Sequence, residues 1–249
     1  MIGTISMPLW SDISESTLYA DDACEVVWAD SSDECHARSQ EVVNNLSDWY
    51  ECVGLSLNPK KSEYIPFNYE PGPLSVEGTE VKPKKTFKFL GCHIQADLGW
   101  NLQVSETVKK MRKSAARIRV EGRNVGLQDR KVLYYAWVHS HLMCNAGVYL
   151  PLLGSNQLHD LQTAANAGIR AICRLPKRGH VPMSSIREQL KTPSVETVCR
   201  RVRWTEAWKR KPPLSEAQSG PTTRGRSAGN IPTPDLRGWN GKMIKTVAL

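Results

Sequence analysis

Two neighbouring carboxylates, Asp21 and Asp22 in the tetrapeptide Tyr19-Ala20-Asp21-Asp22, are the residues of this chain best suited to chemistry. Presented together at the tip of a hairpin, they offer oxygen ligands to Mg2+, which prefers oxygen donors and keeps water or phosphate in its remaining positions. Two such ions held about 3.5–4 Å apart activate a 3′-hydroxyl and steady a departing pyrophosphate. The same tetrapeptide also suits a plain turn, because Asp favours turns whatever its chemistry.

A second concentration of charge lies further along: Lys109, Lys110, Arg112, Lys113, Arg117 and Arg119, six bases within eleven residues with no acid among them. Such a run repels itself unless an anion is near, and nucleic acid would use it in a sequence-independent, salt-sensitive way. A solvated helix face is the plainer reading of the same residues. His36, His93, His139, His141, His159 and His180 stand at no spacing with cysteine or carboxylate that makes a metal cage. The seven cysteines are scattered singly, which suits reduced thiols better than a disulfide framework.

The carboxylate pair needs a turn between strands. Residues 16–19 and 23–28 read as two β runs, with Ala20, Asp21 and Asp22 between them. Ser31-Ser32-Asp33-Glu34 then offers a capping box, and Val42, Leu46, Trp49 and Val53 fall on one face of a helix that Gly54 can close. Residues 55–67 return to extended structure, limited by Pro59 and Pro66 to an edge or a short strand. After a turn-rich stretch over 68–73, short strands over 74–76 and 79–82 flank Glu77-Gly78, and residues 86–94 read as a single β run.

From Asn101 the period changes from two to 3.6, since Val104, Val108, Met111, Ala115 and Ile118 make one apolar stripe apart from the basic residues. Further helix patterns cover 127–148, 155–175 closed by Pro176, 182–191 and 194–210. Residues 211–249 are rich in Pro, Gly, Ser, Thr and Arg with little to bury, and a disordered tail is expected.

Composition agrees with a charged chain that has a real core: 40% of the 249 residues are hydrophobic and 23% charged, enough for one large domain or two small ones. No apolar run approaches the length of a bilayer crossing, and the opening residues lack the pattern of a signal peptide, so an intracellular, cytoplasmic or nuclear, non-secreted protein without membrane partners is expected. The formal net charge of +8 conceals an asymmetry: residues 1–80 hold 3 bases and 15 acids, net −12, and the rest 30 bases and 10 acids, net +20. An acidic region able to hold metal joined to a basic region able to hold a polyanion is what metal chemistry on nucleic acid requires, although uneven surface charge on an ordinary basic protein gives the same count.

The order of segments supplies a resemblance. Tyr19-Ala20-Asp21-Asp22, a helix, then Gly54-Leu55-Ser56-Leu57-Asn58-Pro59-Lys60-Lys61-Ser62, then Phe87-Lys88-Phe89-Leu90-Gly91, resembles the successive C, D and E motifs of reverse transcriptases, closest to the non-LTR retrotransposon class. Ser62 stands for that class's Thr and Phe89 for its Tyr. Gln162-Thr163-Ala164 and Pro193-Ser194-Val195-Glu196 are similar to the less distinctive helical region after the polymerase. The resemblance covers residues 14–210, strongly through residue 100. It implies that Asp21 and Asp22 are metal-site carboxylates and that Tyr19 and Ala20 pack beside a primer terminus. It further implies that Lys61 attends nucleotide phosphates, or gives a proton to pyrophosphate, and that Phe87, Lys88, Phe89, Leu90 and Gly91 form a primer-grip hairpin. The basic residues from Lys109 to Arg119 would belong to a thumb that holds an RNA template and DNA primer.

The departures are as specific. A polymerase of this type needs a further aspartate on a neighbouring strand, and it needs fingers ahead of the Asp-Asp pair; the 18 residues before Tyr19 do not hold them. Asp12 is too close in sequence to Tyr19 to serve from an independent strand. The expectation is therefore an α+β chain: a partial palm over 1–98, a helical thumb-like region over 99–210 and a tail over 211–249. It would be a fragment of an RNA-directed DNA polymerase that binds Mg2+ weakly and does not polymerise alone, with the missing N-terminal part as a further partner. Two alternatives stay open: a non-catalytic nucleic-acid-binding remnant, and an unrelated helical interaction protein in which the Asp-Asp pair is only a turn.

Overall fold

The structure is a computed structural model and describes residues 14–19, 22–67, 71–176, 179–209 and 243–248. The chain divides into two compact units, the first drawn from residues 1–99 with the strand at 243–248, the second from residues 100–209.

The first unit is α+β. Strands β1 (Ser14–Tyr19) and β2 (Asp22–Ala29) pair antiparallel with Tyr19 opposite Asp22, so the hairpin forms where the alternation placed it and is somewhat longer. Helix α1 (Ser32–Cys52) begins at the expected cap, where the Ser31 hydroxyl accepts the Glu34 N–H at 3.2 Å. It closes at Gly54, whose φ of +76° lets the Gly54 and Leu55 N–H groups reach back to the carbonyls of Glu51 and Tyr50. Its buried Val42 and Leu46 pack on Val27 of β2, and Val43 packs on Tyr64 of β3 (Glu63–Pro66).

The four-stranded sheet has the order β1-β2-β8-β3, in which β8 (Met243–Ala248) lies antiparallel to both β2 and β3. Strands β2 and β3 therefore run parallel, joined by α1 across a one-strand gap. Strand β8 corrects part of the expected disordered tail: Met-Ile-Lys-Thr-Val-Ala is a short β-prone run, and it satisfies backbone groups on both strands that the gap would leave unpaired. Residues 211–242 and 249 lie outside the described set.

Beyond β3, strands β4 (Leu74–Val76) and β5 (Thr79–Val81) form the expected small hairpin. The single β run expected over 86–94 is instead a second hairpin, β6 (Thr86–Phe89) with β7 (Cys92–Gln95). Its two-residue turn has Leu90 at φ +46° and Gly91 at φ +82°, the two positive values that a tight hairpin of this kind requires. Leucine at the first position conceals the turn in the sequence.

The second unit is helical. Helix α2 (Asn101–Glu121) buries Val104, Val108, Met111, Ala115 and Ile118 as its periodicity indicated. The helix expected over 127–148 is broken: α3 (Leu127–Leu133) passes through a π-helical turn at Tyr134–His139 into α4 (Ser140–Met143), and Asn145 at φ +55° separates α5 (Ala146–Tyr149). Helices α6 (Ser155–Ile172), α7 (Met183–Gln189) and α8 (Val195–Lys209) follow. The Gln162 side-chain carbonyl accepts the Val195 N–H at 2.8 Å, and the Ser194 hydroxyl accepts the Thr197 N–H at 3.1 Å. Two segments noted separately in the sequence thus meet, one capping the helix that the other begins. Among the described residues no helix is long and apolar enough to cross a membrane.

Candidate nucleic-acid interface

The register of the sheet fixes where the acidic hairpin points. Val27 faces α1, so Asp22 and Cys24, an odd number of residues away, lie on the opposite face. Tyr64 likewise faces α1 and Ile65 faces away, where it packs with Phe67 and Phe87. The β6–β7 hairpin therefore docks on the same sheet face that carries Asp22. Cys24 and Glu63 both stand opposite Ala248 and share one row across the sheet. Asp22 precedes Cys24 by as many residues as Lys61 precedes Glu63, so both belong to the same end of the sheet, on chains two strand spacings, about 10 Å, apart. Asp22 is exposed, as is Tyr19 at 63%; Ala20 and Asp21 lie outside the described residues.

Lys61 is held by the turn that precedes β3. The Asn58 side chain accepts the Lys60 N–H at 3.1 Å, and the Asn58 backbone carbonyl accepts the N–H of Lys61 at 3.0 Å and the N–H and hydroxyl of Ser62, each at 2.9 Å. Buried Ser62 anchors the turn, and Lys60 and Lys61 are left exposed.

The residues matched to the primer grip separate by burial. Phe87 is 4% exposed and belongs to the core with Ile65 and Phe67, so its role is to seat the hairpin. Phe89 and Gly91 are half-buried, and Lys88 and Leu90 are the exposed members able to meet a ligand.

Metal chemistry needs several oxygen donors, and among the described residues this end of the sheet presents Asp22. Strand β8 stands beside β2, where the resemblance asks for a further aspartate, and its residues Met243, Ile244, Lys245, Thr246, Val247 and Ala248 include no acid. Among the described residues no group of three or more His, Cys, Asp and Glu is placed to hold a metal ion. Of the expected carboxylate pair the described residues include Asp22 alone, and one carboxylate by itself does not make a magnesium site.

Glu25, three residues beyond Asp22 and unremarked in the sequence, faces α1 and is fully buried. Neither carboxylate oxygen has a hydrogen-bond partner of good geometry. Burial pushes its pKa up, and the Ser16 hydroxyl on the facing strand offsets this in part. Burial, and then the neighbouring Glu25, push the Cys24 thiol up to about 11.

In the second unit, α2 turns its basic residues away from its buried stripe. Lys109, Lys110, Arg112, Lys113 and Arg117 are exposed and Arg119 is half-buried. They are not equally free. Lys109 pairs with Glu106 at 2.6 Å; Arg117 pairs with Glu121 at 2.7 Å and lies 4.2 Å over the Trp137 ring; Arg119 donates to the Leu175 carbonyl at 2.9 Å. Lys110, Arg112 and Lys113 have no acidic partner among the described residues. The charge of Lys110 is felt at His141, whose pKa is lowered by burial first and by Lys110 second. The exposed ion pairs of Lys109 and Arg117 are each worth about 0–1 kcal/mol, so a phosphate can displace them.

No protein-family description, curated protein or solved structure matches this chain.

Proposed function

We propose that this chain is the palm and thumb portion of a reverse transcriptase of the non-LTR retrotransposon type, which holds an RNA template with its DNA primer and does not extend the primer by itself. The observation that carries the binding reading is the outward set of Lys110, Arg112 and Lys113, exposed and, among the described residues, without acidic partners on the side of α2 opposite its core. Positive charge presented this way fits a regularly spaced polyanion better than it fits water. The palm reading is supported by the common sheet end of Asp22 and Lys61 and by the docking of the β6–β7 hairpin on the face that carries Asp22. The reading that the chain does not polymerise alone is supported by β8, the strand beside β2, which contains no acidic residue.

The experiment is a salt titration of binding to an RNA–DNA duplex, read by fluorescence anisotropy, for the wild type and the Lys110→Ala, Arg112→Ala, Lys113→Ala variant. Each phosphate contact contributes about 0.9 to the slope of log affinity against log salt, so losing three lowers the slope by about 2.7. Over a fourfold rise in salt that difference is roughly 40-fold in affinity. Equal slopes in the two proteins would remove α2 from the interface.

A further inference from the structure

At the C-terminal end of α2 a cavity of about 410 Å3 is lined by Arg119, Arg123, Arg130 and Arg174, with Ile118 and Ala171 among its apolar walls and no acidic residue. The four guanidiniums arrive from separate places in the chain: the last turn of α2, the 3-10 turn Gly122–Asn124, the last turn of α3 and the residues after α6. Among the described residues none of the four makes an ion pair. Three of them are fixed by neutral backbone oxygens instead. Arg130 donates to the carbonyl of Ile172 at 2.6 Å and to that of Val125, Arg119 to that of Leu175 at 2.9 Å, and Arg174 to that of Arg123. Each guanidinium has five N–H donors, so most remain for a ligand.

Arg130 is only 8% exposed, and a charge so buried is costly unless an anion compensates it. The chain makes room for it: a side chain on Gly122 would lie 3.2 Å from Arg130 Cδ. Burial raises the pKa of the neighbouring Cys173 thiol, and Arg130 offsets this in part.

We infer that this cavity is an anion site built for a phosphoryl group, and that its occupant is a phosphate of a nucleic-acid strand. Planar guanidiniums converging from several sides match the oxygens of a phosphate, and the cavity is large enough to admit part of the attached sugar. Only the source of the phosphate rests on the proposed function; the recognition chemistry does not.

The test uses the full chain and inorganic pyrophosphate, titrated by calorimetry into the wild type, Arg123→Gln and Arg123→Glu. Arg123 is exposed and its side chain makes no hydrogen bond that the fold uses, so both variants should melt with the wild type. Saturable binding is expected in the wild type, weakened about tenfold in Arg123→Gln and further in Arg123→Glu. Equal affinity in all three proteins, or no saturable binding to the wild type, overturns the inference. A single-stranded oligonucleotide with and without a 5′-phosphate separates the sources: a preference for the phosphorylated strand that is lost in Arg123→Glu assigns a terminal phosphate, and equal binding of both strands, weakened equally by the variant, assigns a backbone phosphate. Pyrophosphate binding that survives in the Lys110→Ala, Arg112→Ala, Lys113→Ala variant isolates the cavity from the α2 face. Failure of duplex binding with pyrophosphate binding intact would count against the proposed function alone.

Discussion

Replacing Glu25 by leucine should stabilise the first unit at neutral pH. Glu25 is fully buried between the sheet and α1, in register with Ser16 on one side and one strand removed from Tyr64 on the other. Its carboxylate oxygens lack well-formed hydrogen bonds, and an unsatisfied buried polar group costs about 1–3 kcal/mol, more when charged. Leucine fills similar space without polar atoms to satisfy. For a unit of roughly a hundred residues, a gain of about 1 kcal/mol raises Tm by about 4–8 °C. The pH dependence carries the sign. The folded pKa lies above its ordinary value, so folding favours the protonated acid. The wild type is therefore least penalised below the ordinary carboxylate pKa, and it loses that stability as pH rises through the raised folded value. The gap between Glu25→Leu and wild type should be small near pH 4.5 and widen toward pH 7. Thermal melts of both proteins across this range, followed by circular dichroism, give the answer. A leucine variant that melts below the wild type at pH 7, or a gap that does not change with pH, would refute the reasoning.

Three further substitutions probe the same structure. Leu90→Asn should stabilise the β6–β7 hairpin by about 1 kcal/mol, because asparagine tolerates the φ of +46° better than leucine; a lower Tm would count against that turn. Gly168→Ala should destabilise the second unit by about 1–2 kcal/mol, since the new methyl would lie 2.8 Å from buried Tyr134 Cε2 and 3.1 Å from Val138 Cγ1, outweighing the gain in helix propensity; chemical denaturation measures it. Deleting residues 243–248 unpairs β2 and β3 at about 1 kcal/mol per lost hydrogen bond and exposes two strand edges. The first unit should then lose amide-exchange protection in β2 and β3, and unchanged protection would contradict the sheet order.

The elements with local punctuation were the legible ones. Ser31, Glu34 and Gly54 delimit α1 because each acts through backbone groups a few residues away, and the stripe from Val104 to Ile118 marks α2 because one face is buried along its length. The β6–β7 turn, which the resemblance implied, was hidden from the residue pattern because Leu90 is not a turn residue by type, and the break at Asn145 because the apolar pattern on either side continues through it. Strand β8 was hidden for a different reason: its pairing partners are more than 170 residues away, and a composition dominated by Pro, Gly and Arg surrounds it. In the candidate site, the exposure of Tyr19, Asp22 and Lys61 followed their turn positions, whereas the burial of Phe87 and the intrachain commitments of Lys109, Arg117 and Arg119 depend on tertiary neighbours. Four arginines spread from residue 119 to residue 174 carry no motif, so their convergence could be found only in three dimensions.

The most direct measurement pairs binding with primer extension on one purified chain, using an RNA template annealed to a DNA primer with all four deoxynucleotides, in Mg2+ or in chelator. The expected result is salt-sensitive binding that needs no Mg2+ and is the same in the wild type and the Asp21→Asn, Asp22→Asn variant under each condition, with the primer unchanged in length. Primer extension by the wild type that stops in the variant would contradict it, as would failure to bind the duplex at low salt.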